Sequence, residues 1–466
     1  MVHDPITVLS DGTIKQVSPF NGTQVWTVPG RANRPFVNRD LLPEPIDWSL
    51  HGRFCSFCEY RYLDSPPEKA RLVAEPPPRQ GHSAPGSPEP DGSPRPEGPG
   101  PGGTAGSGAD AVEDDSLGYC RSIPGYRRLR HVQASELTGT VAAFRRVPNL
   151  FPILPLSYWQ ANHGLSLDAE SRAWRSRYLS EVAGRDHLRF VAHRLALAAG
   201  MSEAQWHSLS GESQLALSET FFGSCHDLII GHRHFSDGAT TTDQLASSGT
   251  LTPDEHAAYI AFTVESAEDL LRKNPFAVYI AIFQNWLRPA GASFDHLHKQ
   301  LAAIDQLPVQ YEAELARLRK NPDLYRDYGV DYAKRNHLIV ASNDHAVAFA
   351  GYGHRYPSLE VHSLSAKGRP WELDDAELRG LSDLIHALHV ASGVETPCNE
   401  EWHYRVPGSD LASPVRVVLK WRISTLAGFE GATKIYLNTM SPWSLRDRVV
   451  ERLRECSAQL GRLTIG

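Results

Sequence analysis

The sequence predicts an α+β fold made of two similar halves, each a mainly antiparallel sheet with packed helices, arising from an internal duplication. Two observations carry this expectation. Short strand-like runs alternate with turn residues over much of the chain, and the order of strands, acid-capped helix and returning strands occurs twice. With 466 residues and 51.6 kDa the chain can bury a large core. We divide it at residues 1–320 and 321–466.

Residues 6–36 carry short strand-like runs broken at Ser10-Asp11-Gly12 and Asn21-Gly22, the pattern of a hairpin-rich edge. The segment ends in Arg31-Ala-Asn-Arg34-Pro35. Two arginines three apart suit an anionic ligand, because guanidinium forks match phosphate oxygens, and the alternative is a pair of solvated surface residues. Cys55-Ser-Phe-Cys58 suggests half a zinc site or a redox pair, and the lack of a βαβ pattern around it favours zinc. From about 75 to 115 the composition turns to Pro, Gly and Ser with almost no large apolar residue, so a disordered insertion is expected there. Phe144-Arg-Arg-Val-Pro-Asn149 reads as a strand end and turn. Residues 166–222 read as a helical insertion, with Leu188, Val191, Leu195 and Leu197 spaced for one buried face. His226 to His234 is a short apolar strand ending in histidines. Thr252-Pro253-Asp254-Glu255 opens a helix to about Arg272, with Tyr259, Phe262 and Leu270 facing inward, and a strand over Phe276 to Phe283 follows.

The C-terminal third has strands near His337–Ser342 and Ala346–Tyr352, then a helix opened by Leu373-Asp-Asp-Ala-Glu-Leu and running to about Ala391. Strands near Val415–Trp421 and Lys434–Asn438 precede a closing helix, Ser444 to Glu455.

Composition excludes some roles. The balance of 47 basic to 54 acidic residues, with no sustained basic block, argues against nucleic acid as a partner. No apolar stretch is long enough to span a bilayer and no leader pattern opens the chain, so a soluble, cytoplasmic protein is expected. Six cysteines in so long a chain do not make a disulfide framework, and Cys120, Cys225, Cys398 and Cys456 stand alone.

The stretch from Asn285 to Gln300 concentrates the reactive residue types: a Gly-Ala-Ser turn, then His296-x-His298-x-Gln300. In an extended segment these last three side chains share a face, at roughly 6.5 Å per two-residue step. Asn285, Gly291, Ser293, His296, His298 and Gln300 stand at the offsets of a pattern found in the galactose-1-phosphate uridylyltransferase family, a branch of the histidine-triad superfamily, which this chain resembles over nearly its whole length outside the two insertions.

That resemblance implies two histidine-triad-like halves and a specific chemistry. His298 would be the nucleophile, attacking the α-phosphorus of a nucleotide sugar to form a covalent nucleotidyl-imidazole, which a second phosphate then discharges. Gln300 and Ser293 would donate hydrogen bonds to phosphate oxygens, and Asn285 would brace the site. Arg31 and Arg34 match the family's phosphate contacts, and Asn149 its nucleotide pocket. Lys420, Glu430 and Asn438 lie where the family contacts its sugar. Lys299, at a position usually small, would pair with a substrate phosphate or face solvent. Structural zinc would be held by Cys55, Cys58, His234 and His296, with His232 a rival for the third place. A second site, for iron or zinc, would use Glu314 and His403, with Glu401 and either His386 or His389 as further candidates.

The resemblance leads first to a hexose-1-phosphate uridylyltransferase of the UDP-glucose plus galactose 1-phosphate type. The alternative is a phosphorylase of ADP-sugars or dinucleoside polyphosphates, and the third reading is a zinc-stabilised relative without catalysis. The implied partners are a nucleotide sugar and a sugar phosphate, with a homodimer suggested by the family.

Overall fold

The computed structural model describes residues 4–29, 43–50, 52–75 and 121–466. Arg31, Arg34 and nearly all of the expected 75–115 insertion lie outside the described residues. Strands β1 (Ile6–Val8), β2 (Ile14–Val17) and β3 (Gln24–Thr27) form the expected antiparallel meander. The remaining strands are β4 (Ala70–Ala74), β5 (Tyr126–Arg130), β6 (Phe144–Pro148), β7 (His226–Gly231), β8 (Tyr279–Trp286), β9 (His298–Ile304), β10 (Ile339–Ser342), β11 (Ala346–Ala350), β12 (Ser358–Ser363), β13 (Cys398–His403), β14 (Arg416–Trp421), β15 (Ile435–Asn438) and β16 (Thr464–Ile465). β15 joins β3 in parallel, which ties the C-terminal region to the N-terminal meander.

The other twelve strands form one sheet in the order β16-β10-β11-β12-β14-β13-β8-β9-β7-β6-β4-β5. Its centre is the antiparallel pair β8–β13. Outward from that pair the order β8-β9-β7-β6 on one side corresponds to β13-β14-β12-β11 on the other. Each side also sends one long helix across between corresponding strands: Pro253–Lys273 between β7 and β8, and Asp375–Ser392 between β12 and β13. The two halves therefore share a sheet and one apolar cluster, which runs from Leu72 and Phe144 through Tyr259 and Leu301 to Leu384 and Val417.

Local sequence explains both helices. Thr252 accepts from Glu255 N while the Glu255 carboxylate accepts from Thr252 N, and Pro253 occupies the first turn, where a missing N–H costs nothing. Asp374 and Glu377 make the same reciprocal cap. Tyr259, Phe262 and Leu270 are buried as expected, and the two helices pack on each other over one face of the sheet. β8 starts three residues later than the sequence suggests, because Asn274 turns the chain first: Phe276 N donates to its Oδ1 and Ala277 N to its carbonyl. The helical insertion begins at Leu156 rather than 166 and buries Trp159, Trp174, Tyr178 and Leu188. No helix among the described residues is long and apolar enough to cross a membrane.

Candidate active site and metal centre

Register decides which side chains meet. Pairing sets Gln300 opposite Phe283, and two residues further along the same register Asn285 flanks His298. Asn285 pairs with Asn399, Asn399 with Lys420, and His403 with Arg416. Cross-strand partners share a face, so His298, Gln300, Asn285, Asn399, Lys420, His403 and Arg416 all lie on the side of the sheet away from the long helices.

On that side Cys55 and Cys58 meet His234 and His296, with the four candidate ligand atoms all within 4.8 Å of one another. The turn is closed by Cys58 N donating to the Cys55 carbonyl at 3.1 Å. The Sγ atoms are 3.8 Å apart, the two Nδ1 atoms 3.2 Å, and three sulfur to nitrogen contacts (Cys55–His296, Cys58–His234 and Cys58–His296) run from 3.4 to 4.0 Å. A tetrahedron with Zn–S and Zn–N bonds of usual length has edges of about 3.8 Å between sulfurs and about 3.3 Å between nitrogens. The four residues thus form a set that can hold a metal ion and is compatible with structural zinc. The His296 Nε2–H donates to the Gly231 carbonyl at 2.8 Å, which fixes the ring with Nδ1 toward the cysteines. His232 does not compete: its Nε2 lies 3.7 Å from Glu59, outside the group. Cys58 is held well below the usual thiol range, first by the Cys55 thiol and then by the two histidines.

The strand begins at His298, and both histidine rings of the motif lie against Phe57, at 6.0 and 5.2 Å between centroids, so they share a side as expected. His298 Nδ1 is 2.8 Å from the His296 carbonyl. A carbonyl only accepts, so Nδ1 carries the proton and Nε2 keeps a lone pair. No described residue partners Nε2. Burial pushes the His298 imidazole down to about 4, which leaves the ring neutral near pH 7.

Gln300 is oriented by a residue that no sequence motif marked. His226 Nδ1 accepts from Ile153 N at 3.0 Å, so its Nε2 carries the proton and donates to Gln300 Oε1 at 3.1 Å. The Gln300 amide N–H groups then remain for a ligand. Asn149 stands in the same corner, its Nδ2 3.2 Å from His226 and its Oδ1 accepting from Phe151 N. The clue in sequence is period two: His226 pairs with Ala302, on the face of Gln300.

Asn285 is linked to the turn through Asn399. Its Oδ1 accepts from Asn399 Nδ2 at 2.7 Å, and the same Nδ2 also donates to Ala290 O at 2.8 Å. Gly291, at φ +90°, takes the left-handed conformation that closes this turn, and Ser293 beyond it is exposed. Lys299 faces neither substrate nor solvent. It lies on the opposite side of β9, fully buried, with Nζ 2.5 Å from Glu400 Oε1 and 5.0 Å from the Tyr259 ring centroid. Strand alternation sends it there, and the long helices bury that side.

The expected second metal site takes a different form. Glu314 accepts from Arg416 Nη2 at 2.7 Å and from Tyr325 OH at 2.8 Å, and Glu360 lies 3.8 Å from Arg416 Nη1. Burial would raise Glu314's carboxyl, but the guanidinium outweighs it and holds the group below the usual range. A protein cation thus occupies the place where a second ion was expected. His403 is half-buried and pairs across the strands with Arg416, while Glu401 is taken by Lys420 at 2.6 Å. His386 and His389 are on the far face, in the Asp375–Ser392 helix, where His389 Nε2 meets Glu400 at 2.8 Å. Among the described residues, the cysteine and histidine quartet is the one group with metal-ligating spacing. Lys420, Glu401 and His403 line a cavity of about 310 Å³. Glu430 does not line it; its carboxylate accepts from Ala427 N at 3.0 Å, capping a short helix. Asn438 likewise donates to the His354 carbonyl at 3.2 Å.

Comparison with known proteins agrees with this architecture. ADP-glucose phosphorylase of Arabidopsis thaliana is 26% identical over 197 residues, 38% of this chain and 52% of that protein, so the match spans about half the length of that relative. The crystal structure of ADP-glucose phosphorylase from Arabidopsis thaliana with bound ADP-glucose superimposes with a TM-score of 0.51 at 16% identity, covering 94% of this chain and 97% of that one. A GALT-like protein of the same plant gives 0.43 at 17% identity, over 66% of this chain and 84% of the other. The chain shares the fold of ADP-glucose phosphorylase. A family model described as "Domain of unknown function (DUF4921)" matches residues 9–86 and 118–464, and the chain belongs to that family.

Proposed function

We propose that the protein is a nucleotidyl-transferring phosphorylase acting on an ADP-sugar, with His298 as the covalent nucleophile. The observation that carries this is the state of His298: proton on Nδ1, lone pair on an unpartnered Nε2, beside a Gln300 amide whose donors are free. In the first step Nε2 forms a bond to the α-phosphorus and the bond from that phosphorus to the bridging oxygen breaks. The sugar 1-phosphate leaves with the electron pair. The Nδ1–H, held by the His296 carbonyl, stays in place and carries the positive charge of the nucleotidyl-imidazole. In the second step an oxygen of inorganic phosphate attacks the same phosphorus, Nε2 departs, and a nucleoside diphosphate is released. Gln300 Nε2 and the Ser293 hydroxyl donate to the non-bridging oxygens as charge shifts, and Asn285 keeps the turn that presents Ser293. Asn149 and, by the motif, Arg31 and Arg34 would bind the nucleotide.

The adenylyl and phosphorolysis assignment draws on ADP-glucose phosphorylase, which is both a sequence relative and a protein of the same fold. Uridylyl transfer to a hexose 1-phosphate is the second reading, favoured by the gap-free motif from Asn285 to Gln300. It is weakened because Glu430 is spent on a helix cap and does not line the cavity. Zinc held by Cys55, Cys58, His234 and His296 would be structural, since four protein ligands leave no open position, and would anchor the residue whose carbonyl orients His298.

The test uses ADP-glucose and UDP-glucose labelled at the α-phosphorus. Acid-labile label from ADP-glucose should appear on wild type and not on His298→Ala, and should be released as ADP by inorganic phosphate. Label from UDP-glucose alone, discharged by galactose 1-phosphate alone, selects the second reading. Equal labelling of both proteins, or none of either, defeats the assignment.

A further inference from the structure

The cavity in the C-terminal half holds two guanidinium groups that nearby carboxylates do not neutralise. Glu401 is closed by Lys420, and Glu314 by Arg416. Arg355 and Arg422 make no ion pair among the described residues. Each instead lies over the ring of Tyr356, at 5.0 and 4.7 Å from its centroid. Two like charges so placed are within about 10 Å of each other, and an anion between them relieves their repulsion. The ring contact fixes the guanidinium planes, and both side chains line the cavity. Both Nε atoms are buried without an acceptor, and Arg422 Nη1 donates to Asn399 Oδ1 at 2.7 Å. The cavity, about 310 Å³, is in the range of small-molecule sites, and Ser18, Thr23 and Asn399 add hydroxyl and amide groups to its wall.

We propose that this cavity is a second anion site, one that binds a phosphorylated sugar or polyol with its phosphate on the Arg355 and Arg422 forks. Such a site does not depend on His298. Arg422 reaches back only to Asn399 on β13, two strands from β9 or roughly 10 Å away. A phosphate held there is therefore distinct from the one transferred at His298. It belongs either to the far end of a molecule engaged at His298 or to a separate small molecule.

Calorimetric titration of the full chain tests this, with inorganic phosphate, glucose 6-phosphate and glucose as probes. Glucose 6-phosphate should bind wild type and His298→Ala alike, and glucose should not bind. Arg355→Gln and Arg422→Gln should each weaken binding by roughly tenfold or more. Unchanged affinity in the double variant, or no binding of either phosphate probe, overturns the proposal. Should the variants fail to fold, phenylglyoxal modification of wild type decides the matter: glucose 6-phosphate should protect Arg355 and Arg422, and equal modification with and without it rejects the site. Displacement of glucose 6-phosphate by ADP-glucose assigns the phosphate to a molecule shared with His298, while simultaneous binding assigns it to a separate one. Failure to label His298 would remove the catalytic reading and leave these outcomes readable.

Discussion

The corresponding strands β9 and β14 occupy the same place in the two halves of the sheet, yet their outward side chains are in opposite electrostatic condition. β9 presents His298, buried but with Nε2 unpartnered, and Gln300 with its amide donors free. β14 presents Arg416 and Lys420, each satisfied by a carboxylate at 2.7 and 2.6 Å. Between them Asn285 and Asn399 pair directly and hydrogen-bond to each other. One scaffold thus serves two ends. A group proposed to form a bond to phosphorus has to be left unspent, whereas a buried cation elsewhere has to be paired or it destabilises the fold.

That contrast can be broken from either side. The largest effect should come from the cysteine and histidine quartet, a group found among the described residues only in the N-terminal half. Cys58→Ser, or chelation of wild type, should remove about one zinc per chain, measured by metal analysis, and cost roughly 5 kcal/mol or more of stability in a denaturant melt. His298→Ala should lower turnover by roughly a thousandfold or more, about 4 kcal/mol, while leaving the melting temperature nearly unchanged. Arg416→Met should do the reverse, costing about 3 kcal/mol of stability by leaving Glu314 buried and unpaired. His226→Phe should reduce turnover by about tenfold through a loosened Gln300, seen as a lower kcat with little change in the melt. The smallest effect is in acid. Glu314 is held below its ordinary value of 4.5, so the stability it contributes is complete above that pH and is lost as pH falls through the folded-state value. In Glu314→Gln the decline of melting temperature below pH 4.5 should be shallower than in wild type.

Much of the site was legible because its residues are local or sit at fixed offsets. His298, Gln300 and Asn285 fall within sixteen residues, and the capping box at Thr252 announces the helix that delivers the chain to β8. The cysteine and histidine quartet followed from the family resemblance, and its geometry can hold a metal ion. What sequence could not supply was partnership across the sheet. Lys299 alternates away from His298 by simple period two, but nothing nearby reveals that its side is roofed by helices or that Glu400, 101 residues on, awaits it. His386 and His389 are close to Glu401 in sequence and yet face the opposite side, since a helix and a strand separate them. β12 has His362 and Glu360 among its apolar residues, which hid a buried strand whose polar face meets Arg416. His226 looked like an ordinary strand end because its role belongs to residue 300.

The buried pair of Lys299 and Glu400 bears on the fidelity of the chemistry itself. A strand can slide against its neighbours by one residue, and such a slip inverts every side chain. For β9 that would drive His298 beneath the helices and expel Lys299 to the opposite face. It would also strip Glu400 of its ammonium in a fully enclosed setting, at a cost of several kcal/mol. On the proposed mechanism the pair works as an alignment key behind His298: a residue that touches no substrate would dictate which residue does.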